Sequence, residues 1–321
     1  MLHDLYDPSN PNYRQFLTPA EFTERFGPTE QDYQALIAFA EANGLTVTGT
    51  HRNRALLEVT GSVQDIERLF HVTLRSYQHP REARTFFAPD VEPTVDAPVT
   101  LLHVGGLENF ELPRPNHRIE PVRAPATVIP NAGSGPGGTY RGNDFRSAYV
   151  PGTTLTGQGQ NVALVEFDGY YANDITSYIS QSGISSSTVL TNVAVNGGVS
   201  VVGSNNTEVA LDIELAVAMA PGLSKIYVYE APNGTAWSTI LSRIANDNQA
   251  QQISCSWAGG SPSPSAEQAL IQMATQGQTY FNSSGDQDSY VGATNFPGFP
   301  TDRDRKSTRL NSSHTVISYA V

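Results

Sequence analysis

Two carboxylic acids, Glu208 and Asp212, lie four positions apart in the apolar segment 205–221, NTEVALDIELAVAMAPG. At roughly 100° per residue they share one face of a helix, and Leu215 and Met219 continue that face. A structural interpretation pairs each acid with an arginine elsewhere in the protein, because buried acids are usually paired. A chemical interpretation makes them a coupled acid pair whose pKa values are pushed apart by burial and mutual repulsion. Spacing alone leaves both interpretations open.

Histidine is the base that many hydrolases use, and its distribution along this chain restricts that option. The seven histidines are His3, His51, His71, His79, His103, His117 and His314. None falls between residues 118 and 313, so a hydrolase built on that part of the chain could not take a histidine base from it. A carboxylate would then accept the proton, which favours low pH. The same distribution disfavours a conventional Ser-His-Asp subtilisin.

The net charge of −12, from 31 acidic and 19 basic residues, excludes two classes of partner. Such a surface repels nucleic acid and anionic lipid. No apolar run approaches the roughly 18–20 residues of a membrane-spanning helix. Cys255 is the only cysteine, so neither a disulfide framework nor a thiolate metal site is expected. We therefore expect a monomer with no nucleic-acid partner, no membrane partner and no metal site in this sequence.

Residues 1–112 predict a compact α+β domain. One helix is predicted from a cap at Thr18 to Gly27 and a second from Thr29 to Gly44, with SVQDIERLFH as a third. The segments LTVTGT, RALLEVTG, VTLRSYQ and RTFFAP read as strands. The domain is followed by residues 113–138, which are rich in proline and glycine without periodicity and indicate an exposed linker.

From residue 139 the pattern changes to a strict alternation of apolar strands and helices, which predicts an α/β fold with a doubly wound parallel sheet. Ligands of such sheets lie at the carboxyl ends of the strands. Glu166, Trp257 and Asp286 all fall at or just past predicted strand ends. The sheet therefore places these three side chains, together with the acid-bearing helix, at one edge.

These segments resemble the sedolisins, or serine-carboxyl peptidases, and in particular their kumamolisin-like branch. EVALDIEL, followed by APG, matches the Glu-x-x-x-Asp motif of that family. YDPSNPNYRQFLTPAEFTERFGP resembles its activation prodomain, and TGQGQNVALVEFDGYY, ISCSWAGG and SSGDQD resemble successive blocks of its catalytic domain. The resemblance runs from residue 2 to about residue 303. It implies a subtilisin-like sheet, truncated at its C-terminal end, preceded by a small ferredoxin-like α+β prodomain.

The resemblance also implies roles for individual residues. Glu208 would be the general base that takes the proton of a serine hydroxyl, and Asp212 would orient it. Asp286 would be the acid of the oxyanion hole, since a protonated carboxyl group can donate a hydrogen bond to a developing oxyanion. Glu166 and Trp257 match positions that extend the acid network behind Asp212. Their alternative interpretations are a surface glutamate at a strand end and a core tryptophan.

Two further features of the family concern substrate and metal. The segment ATNFPGFP resembles the wall of the pocket for the residue before the scissile bond. Some members carry an acid where Asn295 stands, so a strong preference for a basic residue is not expected. The nucleophilic serine of the family lies in a Ser-Gly-Thr-Ser-type block followed by a calcium site. Neither is identified in this sequence, so calcium is expected only in the full-length protein.

Both ends of the sequence depart from the family pattern. Residues 304–321, DRKSTRLNSSHTVISYAV, resemble the translation of a short-read sequencing adapter and are left out of functional reasoning together with His314. Met1 falls partway into the prodomain pattern. The expectation is a fragment of a secreted zymogen, with residues 139–303 as a partial peptidase domain and with a signal peptide further upstream.

The leading hypothesis is the precursor of an acid-acting endopeptidase that hydrolyses peptide bonds of peptide and protein substrates through an acyl-enzyme. Its prodomain would assist folding in cis and block the cleft until the linker is cut at low pH; the fragment itself would be inactive. One alternative is a non-catalytic inhibitory or binding prodomain protein. Another is a glycosidase, whose paired carboxylates must lie roughly 5–9.5 Å apart across a cleft. Two acids on adjacent turns of one helix count against a glycosidase.

Overall fold

The computed structural model describes residues 1–117, 133–135, 138–260 and 263–283. Several sequence-based expectations therefore lie outside the described residues: those for Asp286, for Asn295 and for the tail 304–321. The expectations for Glu208 and its neighbours fall within the described part of the chain.

The N-terminal region forms the predicted short helices and strands. Its elements are α1 (Leu2–Tyr6), α2 (Pro19–Phe26), α3 (Glu30–Ala42), β1 (Thr46–Thr50), β2 (Leu57–Thr60), α4 (Val63–Phe70), β3 (Leu74–Gln78) and β4 (Thr85–Pro89). Helix α2 begins as the sequence predicts, because the Thr18 side chain accepts from the Glu21 amide while the Glu21 carboxylate accepts from Thr18. A small apolar core holds these elements together; it contains Ala40, Leu45, Leu69, Phe70 and Val72.

The four strands of this region pair as two separate antiparallel hairpins. β1 pairs with β2 and β3 pairs with β4, and no ladder joins the two hairpins within the described residues. A ferredoxin-like domain has its strands in a single sheet. The ferredoxin-like topology of this region therefore stays a prediction. The α+β character of the region is present as expected.

The C-terminal region alternates helices and strands around a parallel sheet. Its elements are β5 (Arg114–Pro115), α5 (Gly142–Tyr149), β6 (Asn161–Glu166), α6 (Ala172–Gln181), β7 (Val189–Ala194), α7 (Asn206–Met219), β8 (Lys225–Glu230), α8 (Trp237–Asp247), β9 (Gln252–Cys255), β10 (Trp257–Ala258), α9 (Pro264–Thr275) and β11 (Thr279–Asn282). The five-stranded sheet has the order β11-β9-β6-β8-β7, with every neighbouring pair parallel. This confirms the mixed α/β class with a parallel sheet, whereas the subtilisin-like details stay a prediction.

The order of the strands creates a crevice beside β6. The chain leaves β6 toward β7 and β8 on one side and later adds β9 and β11 on the other side. In a sheet of this kind, ligands bind outside the carboxyl ends of the strands at the point where the winding reverses. The carboxyl end of β6 is Glu166, so the topology directs attention to this residue and its neighbours.

The sheet and its helices share one large apolar core. Strand β8 is buried from Ile226 to Glu230, as expected for a parallel strand covered on both faces. Helix α7 contributes Val209, Ile213 and Val217 to this core. No helix in the described part of the chain is long and apolar enough to span a membrane. The core therefore fixes α7, which carries both candidate acids, against the sheet.

The N-terminal region contacts helix α9 through specific hydrogen bonds. The side chain of Asn53 donates to Gln272 Oε1 at 2.7 Å, and both residues are buried. The Tyr6 hydroxyl donates to the Ala274 carbonyl at 2.6 Å, and the Leu17 amide donates to the Thr275 carbonyl at 2.9 Å. The last two bonds satisfy carbonyls at the C-terminal end of α9, where a helix has no internal donors left.

Candidate active site

Three elements bring the candidate residues to the crevice beside β6. Glu166 is the last residue of β6 and is fully buried. Trp257 lies two residues after Cys255, the last residue of β9, and it is also fully buried. Glu208 lies in the first turn of α7 and is 2% exposed. The structure therefore brings together Glu166, Glu208, Asp212 and Trp257, which the sequence analysis selected from three separate segments.

A buried hydrogen-bond network links Trp257, Glu166 and Asp212. Trp257 Nε1 donates to Glu166 Oε2 at 2.7 Å. Ser256 Oγ donates to Asp212 Oδ1 at 2.7 Å. In the described structure, Glu166 Oε1 and Asp212 Oδ2 are buried and receive no hydrogen bond from a donor group. The two carboxyl groups interact directly with each other, so one proton held between them satisfies both oxygens.

The environment of this pair raises both pKa values. Burial raises the pKa of Glu166 well above its usual range, and the neighbouring Asp212 adds to the shift. Burial, followed by the charge of Glu208, raises the pKa of Asp212 to about 7. The indole of Trp257 and the hydroxyl of Ser256 act in the opposite direction, because each stabilises an ionised carboxylate. The pair thus retains a proton well above the pH at which exposed acids lose theirs.

The stability of the chain is expected to decrease as pH rises from about 4.5 to about 8. Because the folded-state pKa values of Glu166 and Asp212 lie above their unfolded values, the folded state binds more protons in this window. The stabilisation is complete below the unfolded pKa values and is lost as pH passes the folded value of Asp212 at about 7. Urea denaturation at the two ends of the window measures this difference.

Asp212→Asn is the matched variant for that measurement. The amide cannot titrate, yet it can still accept from Ser256 and donate permanently to Glu166. We expect this variant to lose less stability than the wild type between about pH 4.5 and about pH 8. An unchanged pH dependence would show that the raised pKa of Asp212 does not govern stability in this window.

The carboxylate of Glu208 contacts a residue that the sequence analysis missed. His117 Nδ1 lies against Glu208 Oε2, and Glu208 is almost completely buried beneath it. His117 lies immediately before the stretch 118–313, which contains no histidine, and was therefore not selected as a candidate base. The available signal was the position of His117 near the start of the linker, which was expected to be cut when the prodomain leaves the cleft.

A short extended stretch, residues 113–117, crosses the carboxyl edge of the sheet; we call it the cleft segment. Its strand β5 pairs antiparallel with β10, with Pro115 opposite Trp257 and Arg114 opposite Ala258. The side chain of Asn233 donates to the Pro113 carbonyl at 2.9 Å. The cleft segment therefore covers the candidate acids by main-chain pairing, in the manner of an added strand.

Asp168, which the sequence analysis also missed, anchors the start of helix α7. Asp168 Oδ1 accepts from the Gly203 amide at 2.7 Å and Asp168 Oδ2 accepts from the Asn205 amide at 2.9 Å. A side chain at Gly203 would meet Asp168 at 2.7 Å, so the close approach requires glycine. A carboxylate at the N-terminal end of a helix is also stabilised by the helix dipole. These contacts fix the turn from which Glu208 projects.

The described surroundings of Asp212 favour the chemical interpretation of the acid pair. Within residues 1–117, 133–135, 138–260 and 263–283, no arginine forms an ion pair with Asp212, whose partners there are Ser256 and Glu166. Glu214, two positions further along α7, is half-buried, and burial raises its pKa to about 7 with a contribution from Asp174. It belongs to a different face of the helix.

The described residues offer no metal site. Across residues 1–117, 133–135, 138–260 and 263–283, no group of three or more His, Cys, Asp and Glu side chains could hold a metal ion. The carboxylates at the crevice hydrogen-bond to Trp257 and contact His117. The calcium site that the family resemblance implies belongs with the serine block, which is not identified in this sequence, so none of the described residues is assigned to calcium.

Comparisons with known proteins identify relatives of this chain. Residues 1–110 match the family described as "Pro-kumamolisin, activation domain". Kumamolisin from Bacillus sp. (strain MN-32) is 30% identical over 296 residues, covering 88% of this chain and 53% of that protein. Xanthomonalisin from Xanthomonas sp. (strain T-22) is 26% identical, covering 97% of this chain and 40% of that protein. Sedolisin from Pseudomonas sp. (strain 101) is also 26% identical, covering 97% and 55%.

The same comparisons limit which properties of the relatives can be transferred to this chain. The chain spans about half the length of the curated relatives it matches. A solved structure of Pseudomonas sedolisin, a serine-carboxyl proteinase complexed with two molecules of pseudo-iodotyrostatin, has a TM-score of 0.43 at 18% identity, covering 58% of this chain and 53% of that chain. A likeness at this level supports no argument about the fold, so the sequence matches carry the comparison.

Proposed function

Because this chain belongs to the sedolisin family and is kumamolisin-like, we propose that it is part of the zymogen of a secreted, acid-acting serine-carboxyl endopeptidase. The full-length protein hydrolyses peptide bonds in peptides and proteins through an acyl-enzyme. The observation that supports this proposal best is the buried acid network beneath the cleft segment, in which Glu208 faces the segment while Asp212, Glu166 and Trp257 lie behind it.

In this proposal Glu208 is the general base and Asp212 orients it. The two acids lie on adjacent turns of α7, and the charge of Glu208 raises the pKa of Asp212. A protonated Asp212 avoids a second negative charge beside the base. Glu166 and Trp257 are positioning residues that hold Asp212 from behind.

Asp286 is proposed as the oxyanion acid and Asn295 as part of the wall of the specificity pocket. Supporting this, β11 ends at Asn282 beside the cleft segment, and Ser283 already accepts a hydrogen bond from Asn116. Asp286 follows Ser283 by three residues in the sequence. A protonated Asp286 would donate to the developing oxyanion, and activity would fall as pH rises and this group ionises. The serine nucleophile and the calcium site are placed in the part of the full-length protein that this chain does not include.

The N-terminal region is proposed to act in cis as an activation prodomain. Its contacts with the C-terminal end of α9 hold it against the peptidase region, and the cleft segment that follows it covers Glu208. Substrates cannot reach the base until this segment leaves. The prodomain, the linker and the monomeric peptidase region then correspond to residues 1–112, 113–138 and 139–303.

The contact between His117 and Glu208 favours one second candidate. In a serine peptidase of the Ser-His-acid type, His117 would be the base and Glu208 would orient it. However, His117 belongs to the linker, which must leave the cleft before substrates can bind. A histidine base at this position would instead have to stay in the cleft together with the substrate. The carboxylate mechanism is the proposal here, and the two candidates differ in their dependence on His117 and on pH.

Expressing the full-length protein tests the proposal. We expect hydrolysis of a denatured protein substrate at about pH 4, with little activity near neutral pH. Acid-quenched turnover should show a covalent acyl adduct on a serine by intact-protein mass spectrometry. No hydrolysis at any pH would overturn the proposed function. Residues 1–321 alone should be inactive; acid protease activity in this chain that Glu208→Ala abolishes would contradict the placement of the nucleophile.

A further inference from the structure

The cleft segment is held in one register by main-chain contacts. Arg114 pairs with Ala258 and Pro115 pairs with Trp257 in an antiparallel ladder, and the Asn116 amide continues it by donating to the Ser256 carbonyl at 2.8 Å. This bond is the last of the ladder among the described residues. The main chain of residues 114–116 is thereby fixed against the strand that carries Trp257.

The side chain of Asn116 has its own polar site. Its Nδ2 group donates to the Ser283 carbonyl at 3.0 Å and lies 3.3 Å from the Ser283 hydroxyl. Ser283 directly follows strand β11. A carbonyl oxygen at this position favours a hydrogen-bond donor and repels a carboxylate. A carboxamide side chain therefore fits this pocket where an aspartate would not.

The next residue turns toward the base. His117 leaves the ladder and its ring contacts Glu208, so the peptide bond between Asn116 and His117 lies between the polar pocket and the base. A shift of one residue in either direction would put Pro115 or His117 in the pocket beside Ser283, and neither lies there. We infer that the Asn116–His117 bond is the first bond that the zymogen cuts, and that the same pocket selects substrates with asparagine before the scissile bond.

This inference rests on the proposed peptidase function and uses its chemistry. The serine hydroxyl of the full-length enzyme attacks the carbonyl carbon of Asn116 while Glu208 takes the hydroxyl proton. The bond from that carbon to the His117 nitrogen breaks, and Glu208 returns the proton to this amine. Water then attacks the serine ester of Asn116, gives one proton to Glu208, and releases Asn116 with a free carboxylate. The serine regains its proton from Glu208.

The test is the site of the earliest cleavage in the full-length zymogen. After acidification, mass spectrometry at short times should find one product ending at Asn116 and one beginning at His117. Asn116→Asp should slow this cleavage roughly tenfold, since a carboxylate cannot donate to the Ser283 carbonyl and is repelled by it. Asn131→Asp is the matched control, because it replaces the other asparagine of residues 113–138 and should leave both products and rate unchanged.

A peptide substrate separates this inference from the function on which it rests. A peptide with the sequence of residues 112–120 should be cut after its asparagine, and the analogue with aspartate there should be cut roughly tenfold more slowly. If the enzyme hydrolyses a denatured protein but first cuts the zymogen elsewhere, or cuts the Asn116→Asp zymogen at the wild-type rate, the inference is overturned and the peptidase function stands. If no protein substrate is hydrolysed, the proposed function itself is overturned.

Discussion

Replacing Glu208 with glutamine is expected to lower the turnover of the processed full-length enzyme by about 10²–10⁴-fold, the contribution of a positioned general base. Glutamine preserves the shape of the side chain, so the loss reports on proton transfer rather than on packing. The residue is 2% exposed and faces the cleft segment, and in the proposed mechanism it takes the proton of a serine hydroxyl of the full-length protein. Steady-state kinetics on a peptide substrate at about pH 4 measure the change.

Glu214→Gln is the control for that experiment. It removes a half-buried acid with a raised pKa from the same helix, at a position that does not face the cleft segment. Its turnover should stay within about twofold of the wild type, as for a change that touches no reacting group. Wild-type turnover in the Glu208→Gln enzyme, or an equal loss in Glu214→Gln, would contradict the assignment of Glu208 as the base.

Replacing Trp257 with alanine is expected to lower the free energy of unfolding of this chain by about 3–5 kcal/mol. The indole is fully buried and packs edge-to-face on Phe167, with ring centroids 5.6 Å apart. Its removal leaves a cavity and also leaves the buried Glu166 carboxylate without its donor, which adds a desolvation penalty. Equilibrium denaturation in urea at acid pH measures the loss.

A pair of phenylalanine variants separates the packing role of Trp257 from its electrostatic role. Trp257→Phe and Trp237→Phe each remove one buried indole donor, the first from the Glu166 carboxylate and the second from the Gly259 carbonyl at 2.6 Å. Because the Trp257 bond lowers the pKa of Glu166, its loss should raise that pKa further and extend the decrease in stability to higher pH. Trp237→Phe should leave the pH dependence unchanged. Equal pH dependence in both variants would mean that Trp257 is only a core residue.

Local pattern predicted the acid-bearing helix well. The 3.6-residue period placed Glu208 and Asp212 on one face, and α7 runs from Asn206 to Met219 with both acids turned toward the crevice. The positions of Glu166 and Trp257 at or just past strand ends followed from the apolar α/β pattern, whereas the burial of Glu166 did not. Because these features depend on residues that are close together in the sequence, they can be predicted from it.

The partners of those acids depend on tertiary structure and could not be predicted. Ser256 reaches Asp212 across 44 positions and His117 reaches Glu208 across 91. No periodicity relates such pairs, because the order of strands in the sheet decides which segments meet. For the same reason, strand propensity identified the four strands of the N-terminal region but not that they pair as two hairpins.

The central claim is that a carboxylate, and not a histidine, is the base of this peptidase. The pH profile of turnover of the processed full-length enzyme, measured alongside its His117→Gln variant, tests this claim most directly. With Glu208 as the base, turnover should persist below about pH 5, where a histidine base would be protonated, and His117→Gln should not change the profile. Turnover that collapses as pH falls through about 6.5, together with its loss in His117→Gln, would contradict the claim.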